Sequence, residues 1–175
     1  MAMYGAVKDE VRSLAGTRRK VNGQKPGKEL IMSTHAAIGM RLPDNTIQAI
    51  YCHNDGYPGG AGAVLGGWYT TPERVKALID LGSLSQVNQE LAPAPGTQHS
   101  FKKPQELVTI AYHRDRNDRL EPGENYATLE DYEAGAPETF GADYLYLFEN
   151  GKWSFYSVYG EKEWTELEVT VCGRN

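Results

Sequence analysis

The chain has two cysteines, Cys52 and Cys172, in 175 residues. Two thiols are too few for a disulfide framework or a four-cysteine zinc site. No apolar run approaches the roughly 18 residues that a bilayer-spanning helix needs. Lys8, Asp9, Glu10 and Arg12 break up the start of the chain, so no secretory leader is expected. Several catalytic motifs are missing too. Gly59-Gly60-Ala61-Gly62 lacks the Gly-Lys-Ser/Thr of a phosphate loop and the following acidic residue of a dinucleotide fingerprint. There is no Gly-x-Ser-x-Gly elbow and no His-Glu-x-x-His, and His113-Arg114-Asp115 lacks the continuation of a kinase catalytic loop. No motif calls for a cofactor. The composition, 40% hydrophobic and 23% charged, is globular. A cytoplasmic protein with room for one domain is the expectation.

The net charge of −5 is unevenly spread. Residues 1–31 hold 7 basic and 3 acidic side chains, and residues 32–175 hold 11 basic and 20 acidic ones. A short basic arm thus precedes an acidic body. Such a body repels phosphates, which argues against direct nucleic acid binding over a broad face. It would instead attract a basic partner protein.

Tyr4, Val7, Val11 and Leu14 recur at helical spacing, so residues 4–15 read as an amphipathic helix. Residues 17–28 are polar, basic and punctuated by Gly and Pro, as a linker is. Met32-Ser33-Thr34 resembles a protein start. Residues 1–31 are therefore expected to be an N-terminal extension, and residues 32–175 a single domain.

In that domain, residues 34–42 and 46–53 flank Pro43-Asp44-Asn45 and predict a hairpin. Residues 54–62 are a loop in which Gly56 is expected to take a positive φ. A short helix at 63–69 precedes one capped by Thr70/Thr71 with Pro72 at its first turn, ended by Gly82. Residues 83–104 show little pattern. Residues 107–113 read as a strand and 128–133 as a weak helical turn. Residues 144–148 and 153–159 flank Asn150-Gly151, the strongest hairpin signal in the chain. Residues 166–172 alternate as a strand with Leu167, Val169 and Val171 on one face. Hairpins without regular helix alternation predict an α+β fold: an antiparallel sheet with two or three short helices on one face. Tyr69, Tyr112, Tyr144, Tyr146, Trp153, Phe155 and Tyr159 are expected to pack on that sheet.

Two loop clusters carry the chemistry-bearing side chains. The first comprises Tyr51, His53, Asp55, Gly56 and Tyr57, and the second His113, Arg114 and Asp115. Both place His-x-Asp at an expected strand end. Were the two ends to meet, His53, Asp55, His113 and Asp115 would form a set able to hold a divalent metal. The alternative is an ion-pair network of Arg114 and Arg116 with Asp55 and Asp115. A third group is an acidic face, Glu161, Glu163, Glu166 and Glu168 around Trp164, suited to a partner protein.

The ordered series Met32-Ser33-Thr34, Ile50-Tyr51-Cys52-His53-x-Asp55-Gly56-Tyr57-Pro58, Leu78-Ile79-x-Leu81-Gly82, Ala111-Tyr112-His113-Arg114-Asp115 and Tyr146-Leu147-Phe148-x-Asn150-Gly151-Lys152-Trp153 resembles a group of small phage and prophage proteins of unknown function. The resemblance covers about residues 32–160. His35 stands where that group usually has Arg, and Asn54 where it usually has Trp. What the resemblance implies is a protein acting in the cytoplasm of a bacterial host cell. Three readings follow: a non-enzymatic protein that binds and modulates a host macromolecule, for instance by inhibiting host defence; a small metal- or nucleotide-binding enzyme using His53, Asp55, His113 and Asp115; or a dimeric accessory protein.

Overall fold

The computed structural model describes residues 33–168. The expected helix at 4–15, the basic linker, the boundary at Met32, and Val169, Val171 and Cys172 lie outside the described residues. The first hairpin forms as its sequence dictates. Strand β1 (Ala36–Arg41) turns through Asn45 at φ 70° into β2 (Ile47–Cys52). Its turn closes with Asn45 N–H on the Leu42 carbonyl at 2.9 Å. The second hairpin pairs β6 (Tyr144–Glu149) with β7 (Lys152–Ser157). Asn150 and Gly151 both take positive φ, 52° and 78°, as a type I′ turn requires.

Between the hairpins lie a wide helical turn at Pro58–Gly62, α1 (Ala63–Trp68), α2 (Pro72–Ile79), β3 (Leu84–Gln86), β4 (Ile110–Ala111), α3 (Tyr112–Arg116), β5 (Glu124–Tyr126) and α4 (Leu129–Phe140). β8 (Thr165–Glu166) follows the second hairpin. Thr71 caps α2 by accepting from Arg74 N–H, with Pro72 at the first turn. The strand order is β4-β3-β2-β1-β6-β7-β8, and β5 also pairs with β2. The fold class is α+β. None of the described helices is long and apolar enough to cross a membrane.

The sheet differs from the expected one in two respects. It is mixed, because β1 pairs with β6 and β2 with β3 in parallel. Its helices cover both faces. Ile38, Ile50, Cys52, Tyr146 and Phe148 face α1 and α2, whereas Ala37, Ile47, Ala49, Leu145 and Leu147 face α4. Central strands buried on both sides read as continuous apolar runs, as Tyr144–Phe148 does, and hide the two-sidedness from an alternation test.

Three elements also differ from expectation. Residues 107–113 yield only the two-residue β4, after which Tyr112 starts a helical turn. The weak turn at 128–133 is the start of the twelve-residue α4, despite Gly135 and Pro137. Gly135 there serves close packing: a Cβ would stand 2.9 Å from the Tyr126 ring. The patternless 83–104 stretch contains β3, which holds β2 through Cys52 and Leu84.

Aromatic packing is as expected for most of the rings. Tyr69, Tyr146 and Trp153 are buried, Tyr112, Tyr144 and Phe155 are half-buried, and Tyr159 is exposed. Tyr132 of α4 is fully buried, and its hydroxyl donates to the Tyr146 carbonyl at 2.9 Å, with the Ala37 carbonyl at 3.2 Å. One phenol therefore touches β1 and β6 at their parallel pairing. Tyr132→Phe keeps the ring and removes this bond, and should cost about 0.5–1.5 kcal/mol. In urea titration the midpoint should fall with an unchanged slope.

Candidate functional site

Tyr51 and His53 are two residues apart at the end of β2, so they share one sheet face. His35, immediately before β1, lies beside them because β1 and β2 are antiparallel neighbours. Its ring stacks on His53 at 4.8 Å and meets Tyr51 edge-on at 5.5 Å. Phe140, the last residue of α4, lies nearly parallel to Tyr51 with ring centres 6.3 Å apart. Asp143 fixes the base of the group by accepting from His35 N–H at 2.8 Å.

The electrostatics of this group are set by burial. Burial, then the neighbouring Tyr112, Cys52 and Asp143, push the Tyr51 phenol up to about 12. Burial, then His35, hold the His53 imidazole below its ordinary value. Near neutral pH the phenol keeps its proton and the imidazole is uncharged. Tyr51 Oη and His53 Nδ1 share a 2.6 Å hydrogen bond whose direction is set by the histidine tautomer. Cys52 points to the other face into the core, where burial drives its thiol up to about 12. It is a core residue and not a nucleophile.

The convergence of two histidines and two aspartates on which a metal site would depend does not form. No three His, Cys, Asp or Glu side chains gather to hold a metal among the described residues. Asp55, at φ 54°, accepts from Gln86 Nε2 at 3.1 Å. His113 Nδ1 lies 2.8 Å from the Asp118 carbonyl. Asp115 turns inwards instead. Its carboxylate is 3% exposed and accepts from Arg114 Nε at 2.7 Å and from Ala111 N–H at 2.8 Å. His99 Nε2 stands 3.2 Å from the same carboxylate. The expected ion-pair network is thus half present. Arg114 pairs with Asp115, Arg116 pairs with Asp118, and Asp55 belongs to neither.

Gly56 corrects a second expectation. The positive φ belongs to Asp55, and Gly56 is required by proximity. A Cβ there would stand 2.7 Å from the His35 carbonyl carbon and 2.8 Å from the Thr34 oxygen. Tyr57 is 45% exposed beside this loop. Asn54 ties the loop to β3 by donating to the Ser85 carbonyl at 3.0 Å, and its own oxygen lies 2.7 Å from Ser33 Oγ.

The acidic face is also rearranged. Trp164 turns inwards, donates to Glu133 Oε1 at 2.6 Å and packs on Tyr132 and Tyr156. Glu166 pairs with Lys152 at 2.9 Å, while Glu161, Glu163 and Glu168 are exposed. Among the described residues, Tyr159 is the most exposed aromatic, at 83%.

Phe140 and His99 are far from the motif residues in sequence and carry no local signal, whereas His35 is marked only as the position where the resembling group usually has Arg. The sheet pairing of β1 with β2 brings in His35, and the unexpected length of α4 brings in Phe140. No family model matches this chain, and no curated protein or solved structure matches it either.

Gly56→Ala should destabilise the fold by about 1–3 kcal/mol, because the Cβ meets backbone and not a yielding side chain. Denaturant titration reads this directly, and an unchanged midpoint would refute the close approach. Asp115 gives a pH dependence. Burial pushes its carboxyl up, but Arg114, the Ala111 N–H and His99 outweigh burial and hold it below the ordinary range. Its stabilisation is therefore complete above the unfolded carboxyl value of about 4 and is lost as pH falls through the lower folded value. Urea midpoints measured down that acid window should fall less steeply in Asp115→Asn, which starts from a lower stability.

Proposed function

We propose that the chain is a non-enzymatic binding protein whose acidic edge engages a positively charged protein in the cytoplasm of a bacterial host cell. The observation that carries this reading is the exposed stretch at the β7–β8 edge. Tyr159 stands almost fully in solvent, and the exposed Glu161, Glu163 and Glu168 follow it. Tyrosine is a favoured anchor at protein interfaces because it combines large apolar area with a polar tip. Carboxylates around it raise the encounter rate with a basic surface. The excess of acidic side chains over residues 32–175 acts in the same direction.

The side chains proposed for catalysis give less support to an enzyme. His53, Asp55, His113 and Asp115 are each engaged in a separate local bond. The phage-type resemblance supplies the host setting, including inhibition of host defence as the form of modulation.

Charge reversal at Glu161 and Glu163 is the clean test, since Glu166 already has Lys152 as its partner. The full chain, a Glu161→Lys/Glu163→Lys variant and Tyr159→Ala should all melt alike, because these residues are exposed. In pull-downs from bacterial lysate, proteins captured by the parent should be lost from both variants. Capture should also weaken with added salt, as the Debye length shrinks below its physiological value of about 8 Å. Equal capture by all three proteins would overturn the proposal.

A further inference from the structure

The outer edge of β2 is shared by two short strands. β5 pairs with Ile47–Ala49, and β3 pairs with Cys52. Between these pairings, at Ile50 and Tyr51, the edge opens into a groove. Two adjoining hollows of about 560 and 390 Å³ share Tyr51, Ser83, Arg119 and Glu121 in their walls. Phe140, Leu120 and Pro122 line the larger one, and Tyr112, His113 and Arg116 the smaller. Hollows of this size fall in the range of small-molecule sites.

The walls combine flat rings, cations and the carboxylates Asp118, Glu121 and Glu124. Tyr51 and Phe140 lie within 19° of parallel, and Tyr51 stays an uncharged phenol held by His53. Arg116 stacks over Tyr112 at 4.3 Å and pairs with Asp118, which fixes its direction. Arg119 is exposed on the wall common to both hollows, with no hydrogen bond or ion pair among the described residues. Glu121 accepts from Ser83 Oγ at 3.2 Å. Flat rings take a planar heterocycle, a carboxylate accepts from ring or exocyclic N–H groups, and a guanidinium binds phosphate.

We propose that this groove binds a nucleoside monophosphate, with its base against Tyr51 and Phe140 and its phosphate at Arg119. A free mononucleotide fits better than a nucleic acid strand. Few cations line the groove, and the surrounding chain is acidic, so further phosphates would be repelled.

Calorimetric titration of the full chain with AMP, GMP, CMP and UMP tests this. At least one should bind with a Kd between roughly 10 μM and 1 mM. The matching nucleoside and ribose 5-phosphate should each bind more weakly than the nucleotide. Arg119→Ala should weaken binding about tenfold through loss of a charge-assisted contact, with an unchanged melting temperature. Tyr51→Leu should weaken it several-fold, and Phe140→Leu gives the same reading if Tyr51→Leu does not fold. The proposal is overturned if none of the four saturates, if Arg119→Ala binds like the parent, if ribose 5-phosphate matches the nucleotide, or if a short single strand binds more tightly than the mononucleotide.

Discussion

The hydroxyl of Tyr132 on the carbonyl of Tyr146 expresses the constraint that governs this fold. A sheet covered on both faces leaves no wet side for the polar tip of an aromatic residue. The polar tips of Tyr132, Tyr146, Trp153 and Tyr69 each find an acceptor in the backbone. Tyr146 donates to the Gly56 carbonyl at 2.8 Å, Trp153 to the Tyr69 carbonyl at 2.7 Å, and Tyr69 to the Asn88 carbonyl at 2.8 Å. Each bond adds only about 1 kcal/mol net, but an unmade one leaves a buried donor at a cost of up to about 3. The rings and the loops they hold are therefore specified together.

Two irregular regions depend on this arrangement. The loop after β2 is held from within by Tyr146 on the Gly56 carbonyl and from the edge by Asn54 on Ser85. The long 87–109 segment has few apolar anchors, chiefly Val87 and Val108. Polar side chains hold it instead: Arg74 donates to the Gln89 carbonyl, Arg114 to that of Leu91, and Asn88 to that of Val108. Arg114 is in turn fixed by the buried Asp115. The residues that resembled a catalytic triplet at 113–115 thus close a loop and position Tyr112 and Arg116 beside the groove.

What the sequence made legible follows from how local each signal is. The hairpins were readable because Pro43-Asp44-Asn45 and Asn150-Gly151 encode their turns within three residues. α2 was readable because its cap, first-turn proline and stop residue adjoin it. The apolar pattern at 107–113 overstates the strand, because only Ile110 and Ala111 join the ladder with β3 and Val108 forms an isolated bridge with Glu90. α4 is longer than its local sequence suggests, because Gly135 and Pro137 resemble breakers whereas Gly135 makes room for the Tyr126 ring. Parallel pairing of β1 with β6 joins residues about 108 apart, a distance at which no pattern in either strand names its partner. The candidate site divides in the same way. Tyr51 and His53 were visible in one dense motif, while Phe140 and Arg119 reach Tyr51 only through the three-dimensional fold.

The acidic edge and the groove lie at different parts of one sheet, and that separation lets a chain of net negative charge offer an anion a favourable place. β8 is four strand spacings from β2. At about 4.8 Å per spacing, the axes of β8 and β2 lie roughly 19 Å apart, more than twice the physiological Debye length of about 8 Å, so repulsion of a phosphate at Arg119 by Glu166 of β8 is largely screened. Asp118, Glu121 and Glu124 remain as the local carboxylates, and Arg116 and Ser83 already engage the first two. The field that a phosphate meets is then set chiefly by Arg119 and its immediate neighbours.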